Sequence, residues 1–389
     1  MPRLSATYIY DPHKGMLEDH FLEFEPDGKI VKLAPLSETS ESDLKQHEGI
    51  LLPGFVNAHS HLELSFMKKQ VPEDTGMTAF IGEIFSKRLS FTDEEKIAAV
   101  HVEMQKLWEK GTVAIGDICN THHSIPAKIR HRQIRTHSFI ELLGLDLGRV
   151  ETELNKGQAL ITEFETEGLQ ASISPHAPYS MSSELIREIF RQRPPRVSLH
   201  ILESKEEREL FEEGKGAFLH FYRQLNLPYV GFSSKSPLGH VLQEMSHHQA
   251  VIFVHATEMT EAEIQEISHS FPQAYFCLCP RSNYYIHRTY PPLASFMKFT
   301  DQICLGTDSL ASNHDLNVFE EAKCVHKLSP EIPLENILNW LTLQGAIALG
   351  IDDEFGSFSA GRKPGINLIK GLNLSRKQLN ESSYVEKIC

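Results

Sequence analysis

His59 and His61 stand one serine apart where an apolar run ends, in LPGFVNAHSHLELS (52–65). On a β-strand, residues two apart share a face, so the two imidazoles would project together, near enough to grip one ion. Neutral imidazole is the commonest metal-ligating side chain. Read alone, the pair is equally well two strand-end histidines touching solvent. Further along the chain, His176 stands in SPHAPYS, His200 and Glu203 in SLHILES, His255 in VHAT and Asp308 in GTDS. Each follows a short β-branched run. Singly, each has a plainer reading: a hydrogen-bonded structural histidine, a glutamate of the charged helix ESKEEREL, an aspartate capping a helix. Polar groups are costly to bury without a purpose, and these recur at the same point of the pattern.

Together these residues supply a specific chemistry. His59, His61, His200 and Asp308 make an N₃O donor set that suits zinc or ferrous iron, with a coordination position left for water. A divalent ion lowers the pKa of bound water to about 7 and so yields hydroxide at neutral pH. Glu203 could carry a proton from that water to a leaving group, and Asp308 could share it. His255 could orient the hydroxide and stabilise the developing oxyanion.

The elements that must position these groups alternate along the chain. Eight strand-like runs occur: FVNAHSH (55–61), TVAIGDI (112–118), HSFIELLGL (137–145), LQASISPHAP (169–178), RVSLHILES (196–204), AVIFVHAT (250–257), AYFCLCP (274–280) and ICLGTDS (303–309). Several are apolar without alternation, as strands covered on both faces are. Helical patterns separate them. TDEEKIAAVHVEMQKLWEKG (92–111) has Thr92 as its expected N-cap, acids in the first turn and Gly111 at its end. Others are expected near 181–193, 205–225 and 260–270. Eight strand–helix alternations predict an α/β chain with a parallel (β/α)₈ TIM barrel, in which chemistry sits at the C-terminal strand ends. A doubly wound open sheet is the alternative, because counting strands does not prove closure.

Both ends differ from the middle. Residues 1–53 contain ATYIY, FLEFEPDGKIVKLA and GILLPG, with a turn at Asp27-Gly28, and GSFSAGRKPGINLIKG from 356 again reads as short strands with glycine turns. The expected organisation is therefore a barrel over 54–350 and a small composite β-sandwich domain from 1–53 and 351–389. The acidic stretch 37–49 is expected to be a solvated loop.

The 389 residues accommodate that arrangement, and 41% apolar with 23% charged residues is a globular composition. A net charge of −14 argues against nucleic acid or an anionic membrane surface as partner. No apolar run reaches membrane-spanning length and no secretory leader pattern is read at the N-terminus. Six cysteines, mostly within apolar runs, indicate free thiols in a reducing cytoplasm. His61-Leu62-Glu63 matches the H-x-E of small zinc base deaminases, but their P-C-x-x-C is missing; Cys277 and Cys279 form C-x-C. No G-x-S-x-G, P-loop or G-x-G-x-x-G is found. His247-His248 is expected to face solvent. His122-His123 follows the second strand and is expected in a loop or at a helix start.

LLPGFVNAHSH, SPHAPYS, SLHILES, VHAT, CPRSN (279–283), LGTDSLASNHDLNVFEEAK (305–323), LTLQGAIALGI (341–351) and FGSFSAGRKPGINLI (355–369) span nearly the whole chain. In these motifs the sequence resembles the amidohydrolase superfamily, in the branch of cytosine, guanine and adenosine-type nucleoside deaminases and chlorohydrolases. HSHLELS, FIELLGL and CPRSN are similar to aminodeoxyfutalosine deaminase-like members. The resemblance implies His59, His61, His200 and Asp308 as ligands of a metal, zinc favoured and iron possible. It implies Glu203 as proton shuttle, His255 as second catalytic group and His176 as a substrate contact. Two-metal members place a lysine at the end of strand four; SISPHAP has none, which implies one metal. Arg281 could bind a substrate carboxylate bidentately or be an ion-paired structural arginine. Glu63 and Glu141 could face the pocket or pair with neighbours, and Tyr284-Tyr285 could stack on a base or pack internally. Implied is a deaminase releasing ammonia from a purine nucleoside-like or related heterocyclic amine. Hydrolysis of a cyclic amide or carbon–halogen bond, or a silent binding barrel, are the alternatives. The expected partner is a small molecule, and a homodimer is compatible.

Overall fold

The computed structural model describes all residues except 41–43, 230 and 233. Among the described residues fifteen strands follow one another: β1 (Arg3–Asp11), β2 (Gly15–Leu17), β3 (His20–Phe24), β4 (Ile30–Pro35), β5 (Lys45–Pro53), β6 (Phe55–Ser60), β7 (Thr112–Cys119), β8 (Arg135–Leu142), β9 (Gln170–Pro175), β10 (Val197–Ile201), β11 (Val251–His255), β12 (Ala274–Leu278), β13 (Ile303–Leu305), β14 (Ile366–Lys370) and β15 (Tyr384–Lys387).

The eight apolar runs become β6 to β13. They form two four-stranded parallel sheets, β6-β7-β8-β9 and β10-β11-β12-β13. Every residue of β6, β7, β10, β11 and β13 is buried, as expected for strands covered on both faces. The sheets meet along two seams. At one, His200 N–H donates to the His176 carbonyl at 3.0 Å and Ser198 N–H to Ser174 Oγ at 3.0 Å. At the other, Thr307 and Asp308 N–H donate to the His59 carbonyl at 3.0 and 3.2 Å. A side chain at Gly306 would lie 2.8 Å from His59 Cβ, so only glycine admits this approach.

Helices connect successive strands. Asp93–Glu109 begins in a capping box between Thr92 and Glu95 and is followed by Gly111 at φ 86°. Ser183–Arg191 and Glu261–Ser270 lie where helices are expected. The helix expected over 205–225 is broken instead. Lys205–Arg208 runs into a π-helical turn, Glu209–Glu213, that ends at Gly214 in the left-handed region, and Ala217–Gln224 starts afresh. The G-K-G sequence at 214–216 interrupts the periodicity where the backbone must reverse hand.

A seven-stranded mixed sheet, ordered β15-β14-β5-β1-β3-β4 with β2 on β1, unites the chain ends. β5 pairs parallel with β1 and antiparallel with β14. Leu4, Ile9, Leu22, Phe24 and Leu51 pack with Phe358, Ile366 and Leu368 in one core. The Asp27-Gly28 turn joins β3 to β4, with Gly28 at φ 86°. The loop expected over 37–49 is shorter than anticipated: β5 begins at Lys45, because pairing with Leu4 to Ala6 satisfies its backbone, while 41–43 lie outside the described residues. Among the described residues, no helix is long and apolar enough to cross a membrane.

Candidate metal and catalytic site

Parallel strands deliver their C-terminal ends to one face, and the chemically loaded residues meet there. His59 is the penultimate residue of β6, His61 follows it, His200 is the penultimate residue of β10, His255 ends β11 and Asp308 follows β13. His61 Nε2 lies 3.2 Å from both His59 Nε2 and His200 Nε2. Asp308 Oδ1 lies 3.3 Å from His61 Nε2 and 3.7 Å from His59 Nε2. None of these four exposes more than 9% of its surface.

The backbone is distorted where these groups are presented. Leu202, His255, Ala256 and Asp308 have φ of 47°, 71°, 49° and 57°. Side-chain-bearing residues rarely adopt such values, and they collect where surrounding structure enforces them, often at functional sites.

Neighbouring groups fix the orientation of each side chain. His200 Nδ1 donates to the His176 carbonyl at 2.9 Å, which leaves Nε2 as a lone-pair nitrogen. His59 Nδ1 is 3.4 Å from Ser198 Oγ. Asp308 Oδ2 accepts from Ser282 Oγ at 2.6 Å and Ser312 Oγ at 2.5 Å, so Oδ1 is turned toward the imidazoles. Burial holds the His61 imidazole well below its ordinary pKa and takes that of His200 down to about 4. Burial pushes the Asp308 carboxyl up, but the surrounding imidazoles outweigh it and hold the carboxyl well below its ordinary range. The ligand atoms of His59, His61 and Asp308 all lie within 4.8 Å of one another, as do those of His59, His200 and His255. This donor set fits a divalent cation.

Glu203 lies just beyond β10, and its Oε1 is 3.4 Å from His255 Nε2. Asn283 Nδ2 donates to His255 Nδ1 at 3.0 Å, which places the ring proton on Nε2, toward Glu203. Burial pushes the Glu203 carboxyl well above its ordinary pKa, and the Asp308 charge adds to the effect. The site thus pairs a carboxylate held ionised with one whose affinity for a proton burial raises, the property a proton carrier needs.

The remaining candidates fall into two groups. His176 packs beside His200, ring centroids 5.1 Å apart, with Nδ1 2.6 Å from Ser180 Oγ. Glu141 Oε2 accepts from Asn120 Nδ2 at 3.1 Å, while Oε1 is buried without a hydrogen bond, 3.5 Å from His200 Nδ1. By contrast, Glu63 Oε2 accepts from the Asn120 and Thr121 N–H groups and the Thr121 hydroxyl, at 2.9–3.0 Å. Burial still takes the Glu63 carboxyl up to about 7. The Arg281 guanidinium is bidentate on Asp315, at 2.9 and 3.3 Å, and 3.6 Å from Glu321. Tyr284 stacks on Tyr290 and the Tyr285 hydroxyl donates to the Val71 carbonyl, so both pack against the chain itself. His247 and His248 are exposed, and His123 pairs with Asp93 at 3.1 Å.

Ser282 and Asn283, within CPRSN (279–283), and Ser312, within LASN (310–313), also serve the site, but nothing local in the sequence shows that they reach Asp308 and His255. Loops after β6, β9, β10 and β12 pack together through Met67, Tyr179, Phe211, Phe218 and Tyr285. A cavity of about 330 Å³ opens among Asp74, Ser204, Lys205, Glu206, Glu258 and His287, beside the segment carrying Glu203.

Comparison with known proteins gives the family and the fold. The chain is 23% identical over 384 residues to a 5-methylthioadenosine/S-adenosylhomocysteine deaminase of Saccharophagus degradans, covering 93% of this chain and 81% of that protein. It is 26% identical over 334 residues to an aminodeoxyfutalosine deaminase of Nitratiruptor, covering 82% and 78%. The fold superposes on Helicobacter pylori aminofutalosine deaminase, solved with methylthio-coformycin. The TM-score is 0.80 at 22% identity, over 97% of this chain and 94% of that one. Residues 50–387 match the model of the amidohydrolase family, and the chain belongs to that family.

Proposed function

We propose that this chain is a metal-dependent hydrolytic deaminase that releases ammonia from a purine nucleoside-like or related heterocyclic amine. The observation that carries the reading is the meeting of His59, His61, His200 and Asp308 beside the Glu203–His255 pair. Three curated or solved relatives named as deaminases support the substrate class.

His59, His61 and His200, through Nε2, and Asp308, through Oδ1, would hold one divalent ion, with zinc favoured and iron the alternative. When bound, that ion supplies Lewis acidity and makes a water molecule a competent nucleophile at neutral pH. The chain's own groups do the rest. Glu203 takes a proton from the attacking water and delivers it to the nitrogen side of the substrate. Attack forms the carbon–oxygen bond first, the proton carried by Glu203 going to the ring nitrogen beside the attacked carbon. His255 Nε2–H orients the attacking oxygen, Asp308 takes the second water proton and passes it to the amine, and the carbon–nitrogen bond then breaks to release ammonia. Burial of all these groups removes competing solvent and strengthens each interaction.

His176 contacts the substrate through Nε2, since Ser180 occupies Nδ1. Glu141 Oε1, buried without a partner, accepts a substrate N–H or O–H. Glu63 and Arg281 hold the chain's own groups, so a substrate role for either needs those bonds exchanged.

On the same reading, residues 54–350 close into an eight-stranded barrel, with 1–53 and 351–389 a composite β-sandwich domain. Hydrogen bonds along both sheet seams support closure, and a core shared by both termini supports the second domain. Six free cysteines suit a cytoplasmic location, and a homodimer is compatible with it.

Ammonia release over adenine nucleosides, guanine and cytosine, with a cyclic amide and a chlorinated heterocycle as comparison substrates, tests the reaction class. Glu203→Gln is expected to keep its metal while turnover falls by about 10² or more. Unchanged turnover would reject Glu203 as the proton carrier.

A further inference from the structure

The segment carrying Glu203 is held in a way its sequence does not announce. Ser204 and Glu207 have the S-x-x-E spacing of a capping box, in which each side chain would serve the other's backbone N–H. No capping box forms. Ser204 sits at the N-cap of Lys205–Arg208, yet its hydroxyl is buried with no hydrogen-bond partner. Glu207 Oε2 instead reaches one residue further back and accepts the Glu203 backbone N–H at 3.2 Å. The other oxygen, Glu207 Oε1, is buried with no hydrogen-bond partner.

Two facts make the bond more than a local tie. Glu207 is completely buried, and burial pushes its carboxyl up to about 8. No basic side chain among the described residues forms an ion pair with it within 4.0 Å. A carboxyl in such a place is costly to keep. The backbone it holds is itself strained, with Leu202 at φ 47°, a conformation that persists only where the surroundings enforce it. That turn decides the direction in which Glu203 leaves β10.

We propose that Glu207 is the positioning residue of Glu203. Its carboxyl clamps the Glu203 backbone N–H so that the Glu203 side chain is presented to His255 and the reacting atoms. The inference rests on the reading of Glu203 as the proton-transfer group, and Glu207 itself touches no substrate.

The test uses Glu207→Asp, which withdraws the acceptor by one methylene, and Glu207→Gln, which keeps an acceptor at the original length. Both are made in the metal-loaded full chain. Glu207→Asp is expected to lower kcat about tenfold or more with KM and metal content unchanged, since misplacement of about 1 Å can cost far more than that. Glu207→Gln is expected to stay within about threefold of the parent. In a Glu203→Gln background Glu207→Asp is expected to cost nothing further, because the residue acts through Glu203. Hydrogen exchange at the 202–204 amides is expected to quicken in Glu207→Asp alone. Parental kcat in Glu207→Asp overturns the proposal, as does equal loss in both variants or a multiplying loss in the double variant. Unaltered exchange at 202–204 also overturns it, independently of any activity. The functional reading is judged separately, by ammonia release from the parent and its loss in Glu203→Gln.

Discussion

Lys128 and Asp117 form an ion pair with no solvent exposure on either side, Nζ to Oδ2 2.5 Å. Asp117 Oδ1 accepts the backbone N–H of Leu62 at 2.7 Å, the residue next to His61. Lys128 also donates to Ser138 Oγ at 2.8 Å and to Cys119 Sγ at 3.3 Å. Replacing the lysine by methionine preserves most of its volume but strands the Asp117 carboxylate in the interior. Breaking a buried pair from one side costs about 3–5 kcal/mol, because an uncompensated charge remains. A chain of 389 residues unfolding as one unit has an unfolding entropy of roughly 0.8 kcal/mol/K, so Lys128→Met should lower Tm by about 4–6 °C. Removing both charges removes the cause. In Asp117→Asn/Lys128→Met the asparagine carbonyl still accepts from Leu62, and the total loss should shrink to about 1–2 kcal/mol. The coupling between the two positions is then about 2 kcal/mol or more, and of opposite sign to additive damage. Thermal and urea unfolding in the presence of a chelator measures this without a contribution from bound metal. A double variant that loses at least the sum of the single losses would refute the argument.

Two other outcomes follow from the same geometry. His200→Ala should abolish stable metal binding, because it removes one of three convergent imidazole nitrogens; full occupancy by elemental analysis would mean the ligand set is wrong. Lys387 Nζ lies 4.1 Å from the Trp108 ring centre with no hydrogen-bond partner, and burial takes its pKa down to about 8 from 10.5. Between those values the unfolded chain binds more protons than the folded one, so this lysine makes stability rise with pH. Lys387→Met should therefore stabilise the fold by about 1–2 kcal/mol at pH 7, an advantage that shrinks above pH 8 and is gone beyond 10.5. An advantage independent of pH, measured by urea unfolding across that range, would sink it.

The sequence by itself determined the elements and where their chemistry would sit. A two-residue strand period puts His59 and His61 on one face whatever the rest of the chain does. Eight runs of strand length, several of them apolar without alternation and so needing cover on both faces, leave few arrangements besides parallel sheets wrapped in helices. Within them His200, His255 and Asp308 occupy equivalent strand ends. Thr92 and Asp27-Gly28 are equally local signals, and the capping box and hairpin turn form where they stand. Other features were settled only in three dimensions. Arg281 was open between a substrate carboxylate and an ion pair, and Asp315, 34 residues away, takes its guanidinium. Glu63 closes on Asn120 and Thr121, 57 and 58 residues on. Ser204 and Glu207 carry a capping-box signature, yet the carboxyl serves Glu203 instead. Strand and helix periods are dictated by neighbours along the chain. The partner of a buried polar group is set by which distant donors and acceptors packing brings within 3 Å, and by which of them escapes the cost of desolvation.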